Sequence, residues 1–248
     1  MKNYLYLLLF FVSQSFFGQA NFDKGNDLYQ KGQYKEAAVA YENILKSGKQ
    51  SADLYYNLAN SYYKLNQVAP AIYNYEKALI LNPDDIDIAN NLKFAQKRTV
   101  DEIKVVSKVG FAKLLRDFTG IYHFNTWGWI AIGFAFAFLI CFLGYYFSNL
   151  TLVKRAFFFG MFIFLVFVFA SVASAMFEKS YYENEKPAIV FAEIAAVYGE
   201  PKVSSTTILD LHEGTKVYVL ESVSHWKKIQ LTDGSEGWID SKMIKEVK

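Results

Sequence analysis

Side chains able to carry out covalent chemistry are few in this chain. Of 248 residues, three are His and one is Cys. His123, His212 and His225 are scattered and lack the spacing of metal ligands. Cys141 sits inside a long apolar run, which makes it neither a disulfide partner nor a wet nucleophile. Asp210-Leu211-His212 is the nearest approach to an acid–base pair, and at a strand end it reads as solvated surface. Neither common type of Gly-rich phosphate loop occurs. The expectation is a protein that is not an enzyme, with no catalytic residues, no metal and no cofactor. What the chain has in abundance is aromatic side chains, 23 Phe and 18 Tyr, so its chemistry is that of contact and burial.

The elements that position these groups can be read from where charge and aromatics fall. The 26 Lys+Arg and 24 Asp+Glu leave a formal charge of +2, too small a surplus for a nucleic-acid binder. Seventeen of the Phe lie in residues 1–20 and 127–177, and residues 118–177 contain no Asp or Glu. Residues 1–20 read as a signal peptide, with Lys2 before the apolar Tyr4–Val12 and small residues in Gly18-Gln19-Ala20 ahead of a cut after Ala20. An uncleaved anchor is the alternative, and either one exports the segment from residue 21 onward.

Trp127–Phe147 and Ala156–Phe177 are uncharged and long enough to cross a hydrocarbon core of about 30 Å. The connection 148–155 is too short for anything but a hairpin, and its Lys154 and Arg155 favour a cytoplasmic turn. Ala131/Ala135, Gly133/Ala137, Ala170/Ser174 and Ser171/Ala175 repeat at four-residue spacing, as ridges for close helix packing do. Before the first span, residues 101–124 form an amphipathic linker carrying Lys104, Lys108, Lys113 and Arg116. It suits a helix on the membrane surface or a helix packed on the exported domain.

Residues 21–100 contain an internal repeat of period 34. Asn26 meets Asn60, Tyr29 meets Tyr63, Gln33 meets Gln67, Ala37 meets Ala71, Tyr41-Glu42 meets Tyr75-Glu76, and Asn57-Leu58 recurs as Asn91-Leu92. The period, the small Gly25/Ala59 and Ala37/Ala71 and the bulky Tyr41/Tyr75 resemble tetratricopeptide (TPR) repeats, about 21–51 and 55–85, with a cap helix 85–98. That resemblance implies a groove for extended peptides lined by the first helix of each repeat. Its positions here are Phe22, Asn26, Tyr29 and Gln30, then Tyr56, Asn60, Tyr63 and Lys64, then Asn90, Phe94 and Arg98. Asn26 and Asn60 match the asparagines that contact a peptide backbone. Packing and solvation of the helices is the competing role for these residues. Two repeats are fewer than the three usually needed for stability, which points to self-association as a homo-oligomer or to docking on another protein.

Residues 186–248 change to short alternating runs punctuated by Gly214, Asp233-Gly234 and Gly237, the pattern of a small barrel. Leu211–Leu220, Trp226 and the closing Gly237-Trp238-Ile239 resemble a bacterial SH3 domain. That resemblance implies a ligand surface on Tyr198, Trp226 and Trp238, for cell-wall peptides or protein segments. The order of signal peptide, repeats, two-helix hairpin and SH3-like barrel resembles the BatE-type proteins of the Bacteroides aerotolerance operon family. It implies membrane protein partners carrying von Willebrand A domains and a role in envelope stress or aerotolerance.

The expected fold class is therefore a multi-domain membrane protein: an all-α TPR solenoid, two transmembrane α-helices and an all-β SH3-like barrel. The expected function is a protein–protein scaffold of the bacterial inner membrane, two-pass, with both polar domains in the periplasm. The alternative is an envelope sensor that binds peptidoglycan through the barrel.

Overall fold

A computed structural model describes residues 21–102 and 110–248. The signal-peptide reading of 1–20 and the linker residues 103–109 lie outside the described residues. The described residues divide into two compact units, 21–102 together with 186–248, and 110–185.

In the first unit five helices come first: α1 (21–30), α2 (Tyr34–Lys46), α3 (Ala52–Lys64), α4 (Val68–Leu81) and α5 (Ile86–Gln96). Their ends have local causes. Gly32 and Asn66, 34 residues apart, both take positive φ (76° and 59°), so each first helix of a repeat is turned by the same left-handed residue. The Ser51 hydroxyl accepts from the Leu54 N–H and caps α3, and Asp85 caps α5 through the Asp87 and Ile88 N–H groups. Pro70 lies in the first turn of α4, where its missing N–H costs nothing. Gly25 is required by close approach, because a Cβ there would overlap the Tyr41 ring.

Seven strands complete this unit: β1 (Pro187–Val190), β2 (Ile194–Tyr198), β3 (Thr207–His212), β4 (Lys216–Val223), β5 (Trp226–Gln230), β6 (Glu236–Asp240) and β7 (Ile244–Glu246). They form one sheet in the order β3-β2-β6-β5-β4-β1-β7. Strands β3 and β7 are its two edges and are not paired to each other, so the sheet does not close. This overturns the expected SH3-like barrel, the bacterial SH3 assignment and the BatE-type resemblance that depended on it. The von Willebrand A partners and the peptidoglycan-binding role implied by those resemblances lose their basis with it.

The physical reason lies in how β1 and β7 are used. Successive strand residues face opposite ways. One face of β1 sends Ala188 and Val190 into the sheet's own core with Val197, Val217, Ile229 and Ile239. The other sends Ile189, with Val247 and Phe191, into a core built mainly by α3, α4 and α5, where Ala69, Ile72, Tyr75, Ile88 and Leu92 are buried. With one face of β1 and Val247, just after β7, committed to the helical core, this end of the sheet packs on the helices and is not paired to β3. The sheet also supplies cover that two repeats alone lack.

The junction is polar as well as apolar. Lys216 Nζ donates to both carboxylate oxygens of Glu76, at 2.7 and 2.8 Å. The Asp101 carboxylate accepts from the His212 N–H (2.7 Å) and the Thr215 hydroxyl (2.6 Å), and its other oxygen is 2.7 Å from His212 Nδ1. Gly214, with φ of 86°, lets this turn sit on α4: a Cβ there would lie 2.9 Å from both Val68 and Thr99 side chains.

The second unit holds α6 (Phe111–Thr119), α7 (Phe124–Phe147) and α8 (Thr151–Asn184), with α7 and α8 packed as a hairpin. Of the four expected small-residue ridges, Ala131, Ser171 and Ser174 are buried, whereas Gly133 faces open space. Gly144 gives room to the Phe157 ring, and Gly160 to Cys141. Most other side chains of both helices are exposed, including Phe136, Ile140, Phe162 and Phe169.

Burial, the largest single effect on Asp101, pushes its pKa up, but the donors from His212 and Thr215 together outweigh it and leave the carboxyl below its ordinary 3.8. A carboxylate depressed by folding contributes its stabilisation above the unfolded pKa and loses it as the pH falls through the lower folded value. Asp101→Asn is therefore expected to destabilise the full chain at pH 7 by about 2 kcal/mol. The gap between variant and parent should close as the pH is taken below 3.8. Thermal melts at several pH values check this, and parallel curves down to acid would refute the role given to Asp101.

Candidate partner-binding groove

The groove is built by α1, α3 and α5, the first helices of successive repeat units. What sets their spacing is a polar ladder that repeats with the sequence. Tyr41 OH donates to Asn26 Oδ1 at 2.7 Å, and Asn57 Nδ2 donates to the same oxygen at 3.0 Å. Thirty-four residues on, Tyr75 OH donates to Asn60 Oδ1 at 2.5 Å, and Asn91 Nδ2 donates to it at 3.0 Å. Each rung joins the first helix of a repeat to its own second helix and to the first helix of the next. Asn91 Nδ2 also reaches Tyr56 OH at 2.9 Å.

The tyrosines of the ladder are dependable donors. Burial, reinforced by Tyr29, pushes the Tyr41 hydroxyl up to about 12. Burial, with Tyr56, Tyr29 and Tyr63 adding to it, raises Tyr75 further. Both therefore stay protonated across the physiological range. Both rings are also almost fully buried, so each fills the space between helices while its hydroxyl is satisfied.

About 290 Å³ of space opens between Tyr29, Tyr56, Asn60, Tyr63, Lys64 and Phe94, and Tyr75 and Asn91 of the ladder also line it. Six of the residues expected in the groove thus converge on one pocket. A second, wider space of about 590 Å³ lies over Asn90, Phe94 and three further residues of α5 and its end, Lys93, Gln96 and Lys97. Phe94 borders both and is half exposed.

Other expected groove residues are used differently. Asn26 and Asn60 spend their carbonyl oxygens on the ladder, and among the described residues their Nδ2 groups have no protein acceptor. Phe22 is half-buried against Tyr41, with ring centroids 5.9 Å apart. Arg98 stacks on Tyr63 at 3.7 Å and donates to the Tyr63 carbonyl and to Asn66 Oδ1, which ties the cap helix to repeat two. Gln30 is exposed beside the pocket's residues in sequence but does not line it. The ladder role of Asn57 and Asn91 was missed, although the recurrence of Asn-Leu 34 residues apart was its signal.

In the sheet, Tyr198 and Trp226 make an edge-on contact at 5.5 Å, and Tyr198 stands opposite Trp238 in the register of β2 and β6. Trp226 is buried, so its indole belongs to the interior and not to a ligand surface. His212 pairs with Asp101, not with Asp210. Thr215 donates to that same carboxylate rather than to the imidazole, so the three do not form a nucleophile–base–acid relay.

Comparison with known proteins agrees with this geometry. The tetratricopeptide repeat pattern matches residues 52–85, and a TPR repeat pattern matches residues 25–66. Sperm-associated antigen 1 of Mus musculus is 33% identical over 79 residues, which are 32% of this chain and 9% of that protein. The chain thus spans about a tenth of the length of the curated relative it matches. A TPR-repeat region of the kind that serves protein–protein interaction is present, and this is a non-catalytic scaffold architecture. Among the described residues no group of three or more His, Cys, Asp or Glu is placed to hold a metal ion.

Removing one ladder hydroxyl leaves the Asn60 carbonyl short of a donor in a half-buried setting. Tyr75→Phe is expected to destabilise the helical repeats by about 1–2 kcal/mol, and Asn60→Ala by more, because two donors lose their acceptor. A double-mutant cycle on melting of the full chain should give a coupling of roughly 0.5–3 kcal/mol between these positions, and additive effects would dissolve the ladder as a unit.

Proposed function

We propose that this protein is a membrane-anchored scaffold whose TPR groove holds an extended segment of a protein partner in the exported compartment. The observation that carries this reading is the groove pocket. Aromatic walls from Tyr29, Tyr56, Tyr63 and Phe94 can take apolar side chains of a partner. The Asn60 amide and the Lys64 ammonium can address its backbone carbonyls or a carboxylate.

Two features support anchoring. The most apolar stretches of α7 and α8 have mean hydropathies of 2.2 and 2.6, and only 11% and 6% of those stretches are buried. Core helices of a water-soluble protein would be mostly covered, whereas these present their apolar side chains outward. The chain also leaves the first unit before the hairpin and returns to it at Lys186, where β1 packs against α4. An even number of crossings is what allows both flanks to share one core. The basic pair Lys154 and Arg155 in the connection favours the cytoplasm for the turn, leaving the TPR region and the sheet on the other side.

The test is crosslinking in native membranes, with identification of the captured proteins. Lys64→Ala with Phe94→Ala changes exposed groove side chains and leaves the ladder intact. It should remove a specific partner band while the helical spectrum and melting stay unchanged, and undiminished capture would sink the groove model. An alkaline phosphatase fused after Lys248 should be active, and an inactive fusion would reverse the topology.

A further inference from the structure

Helix α6 and the turn after it are held firmly against the hairpin. The Trp127 indole N–H donates to the Thr119 carbonyl at 2.7 Å, fully buried, and its ring contacts Phe118 and Tyr122 at 5.5 and 5.7 Å between centroids. On the other side, Thr119 Oγ1 donates to Glu178 (3.4 Å), and the Arg116 guanidinium stacks on Tyr181 (3.2 Å) and lies 3.6 Å from Glu185. Thr119 is thus level with Glu178 and Arg116 with Tyr181 and Glu185, so α6 runs back alongside the last turns of α8.

That pairing sets a depth. The 34 residues of α8 span about 51 Å, well beyond a hydrocarbon core of about 30 Å. The uncharged run ends at Phe177, and Glu178 and Lys179 come next. The turns from Glu178 onward therefore fall in the headgroup layer, which adds roughly 5–7 Å on each side. Phe118, Ile121 and Tyr122 lie at this level, yet they are 53%, 59% and 45% exposed.

We infer that this elbow, from Phe118 to Tyr122, is seated in the bilayer interface, with Phe118 and Ile121 inserted at the boundary between headgroups and acyl chains. The inference rests on the membrane reading of the hairpin. What selects lipid as the occupant is place: the elbow is pinned to α8 at Glu178, one residue past the uncharged run, and leads in sequence into α7, whose apolar side chains, Trp129 at 73% among them, are exposed. Charge does not draw it there. Lys113, Arg116 and Lys179 are matched by Asp117, Glu178, Glu183 and Glu185, so a zwitterionic surface suffices. Seated in this way, α6 fixes where the chain leaves the membrane and serves as a rigid stop rather than a loose tether.

The test uses the full chain in phosphatidylcholine nanodiscs, on a Cys141→Ser background, spin-labelled in turn at Phe118→Cys, Ile121→Cys, Asp117→Cys and Phe136→Cys. Collision with oxygen reports lipid, and collision with a water-soluble nickel chelate reports water. Oxygen is expected to dominate at 118 and 121 and the chelate at 117. Chelate access at 118 and 121 would overturn the inference, as would protection from both reagents, which would mean a second protein covers the patch. Position 136 separates the two readings: if the chelate reaches it, the hairpin does not span, whereas oxygen there with water at 121 leaves only the elbow wrong.

Discussion

The Tyr–Asn–Asn ladder is the constraint on which the helical half of this protein depends. It places polar groups at the tightest joint between helices, where an unpaired amide or hydroxyl would cost about 1–3 kcal/mol. Because each asparagine oxygen receives one donor from its own repeat and one from the next, spacing within a repeat and spacing between repeats are set by a single atom. The small residues at 25 and 59 complete the joint, since the tyrosine ring needs the volume that a larger side chain would take. The groove exists because this ladder holds α1, α3 and α5 in order, and its pocket is lined by the ladder's own Asn60, Tyr75 and Asn91.

A second dependence joins the repeats to the sheet. Two repeats and a cap leave the outer face of α4 uncovered, and Ile189, Phe191 and Val247 cover it. The charged contacts at this junction, Glu76 with Lys216 and Asp101 with His212 and Thr215, are costly to leave unpaired, so they favour one docking over alternatives. The repeats and the sheet are thus one folded body rather than two modules in a string.

The helical repeat was legible because its signals are local and doubled: Asn26/Asn60, Tyr29/Tyr63 and Tyr41/Tyr75 sit at one fixed offset. The dual use of Asn26 and Asn60 was not legible, because the sequence shows an amide and not which of its two ends is occupied. The sheet misled for a related reason. Alternating residues and Gly turns specify strands and hairpins, but whether the last strands close on the first is decided by what else competes for their faces. Here α4 takes one face of β1. Trp226 and Trp238 illustrate the limit, since an aromatic residue in a strand can face core or solvent without any change of pattern. Asp101 and His212 are 111 residues apart, and no local spacing connects them.

Taken by itself, the sequence determined the classes of segment: a TPR-like repeat of period 34, two apolar stretches of spanning length, and a run of short strands, with no residue set for catalysis. These come from periodicity and hydropathy, which act between near neighbours in the chain. Only the tertiary structure decided that the strands make an open sheet, that the repeats and the sheet share a core, and that the groove asparagines are half committed to a ladder. Those outcomes depend on which surfaces meet across more than a hundred residues. There the competition between burial, pairing and closure is settled by the whole fold.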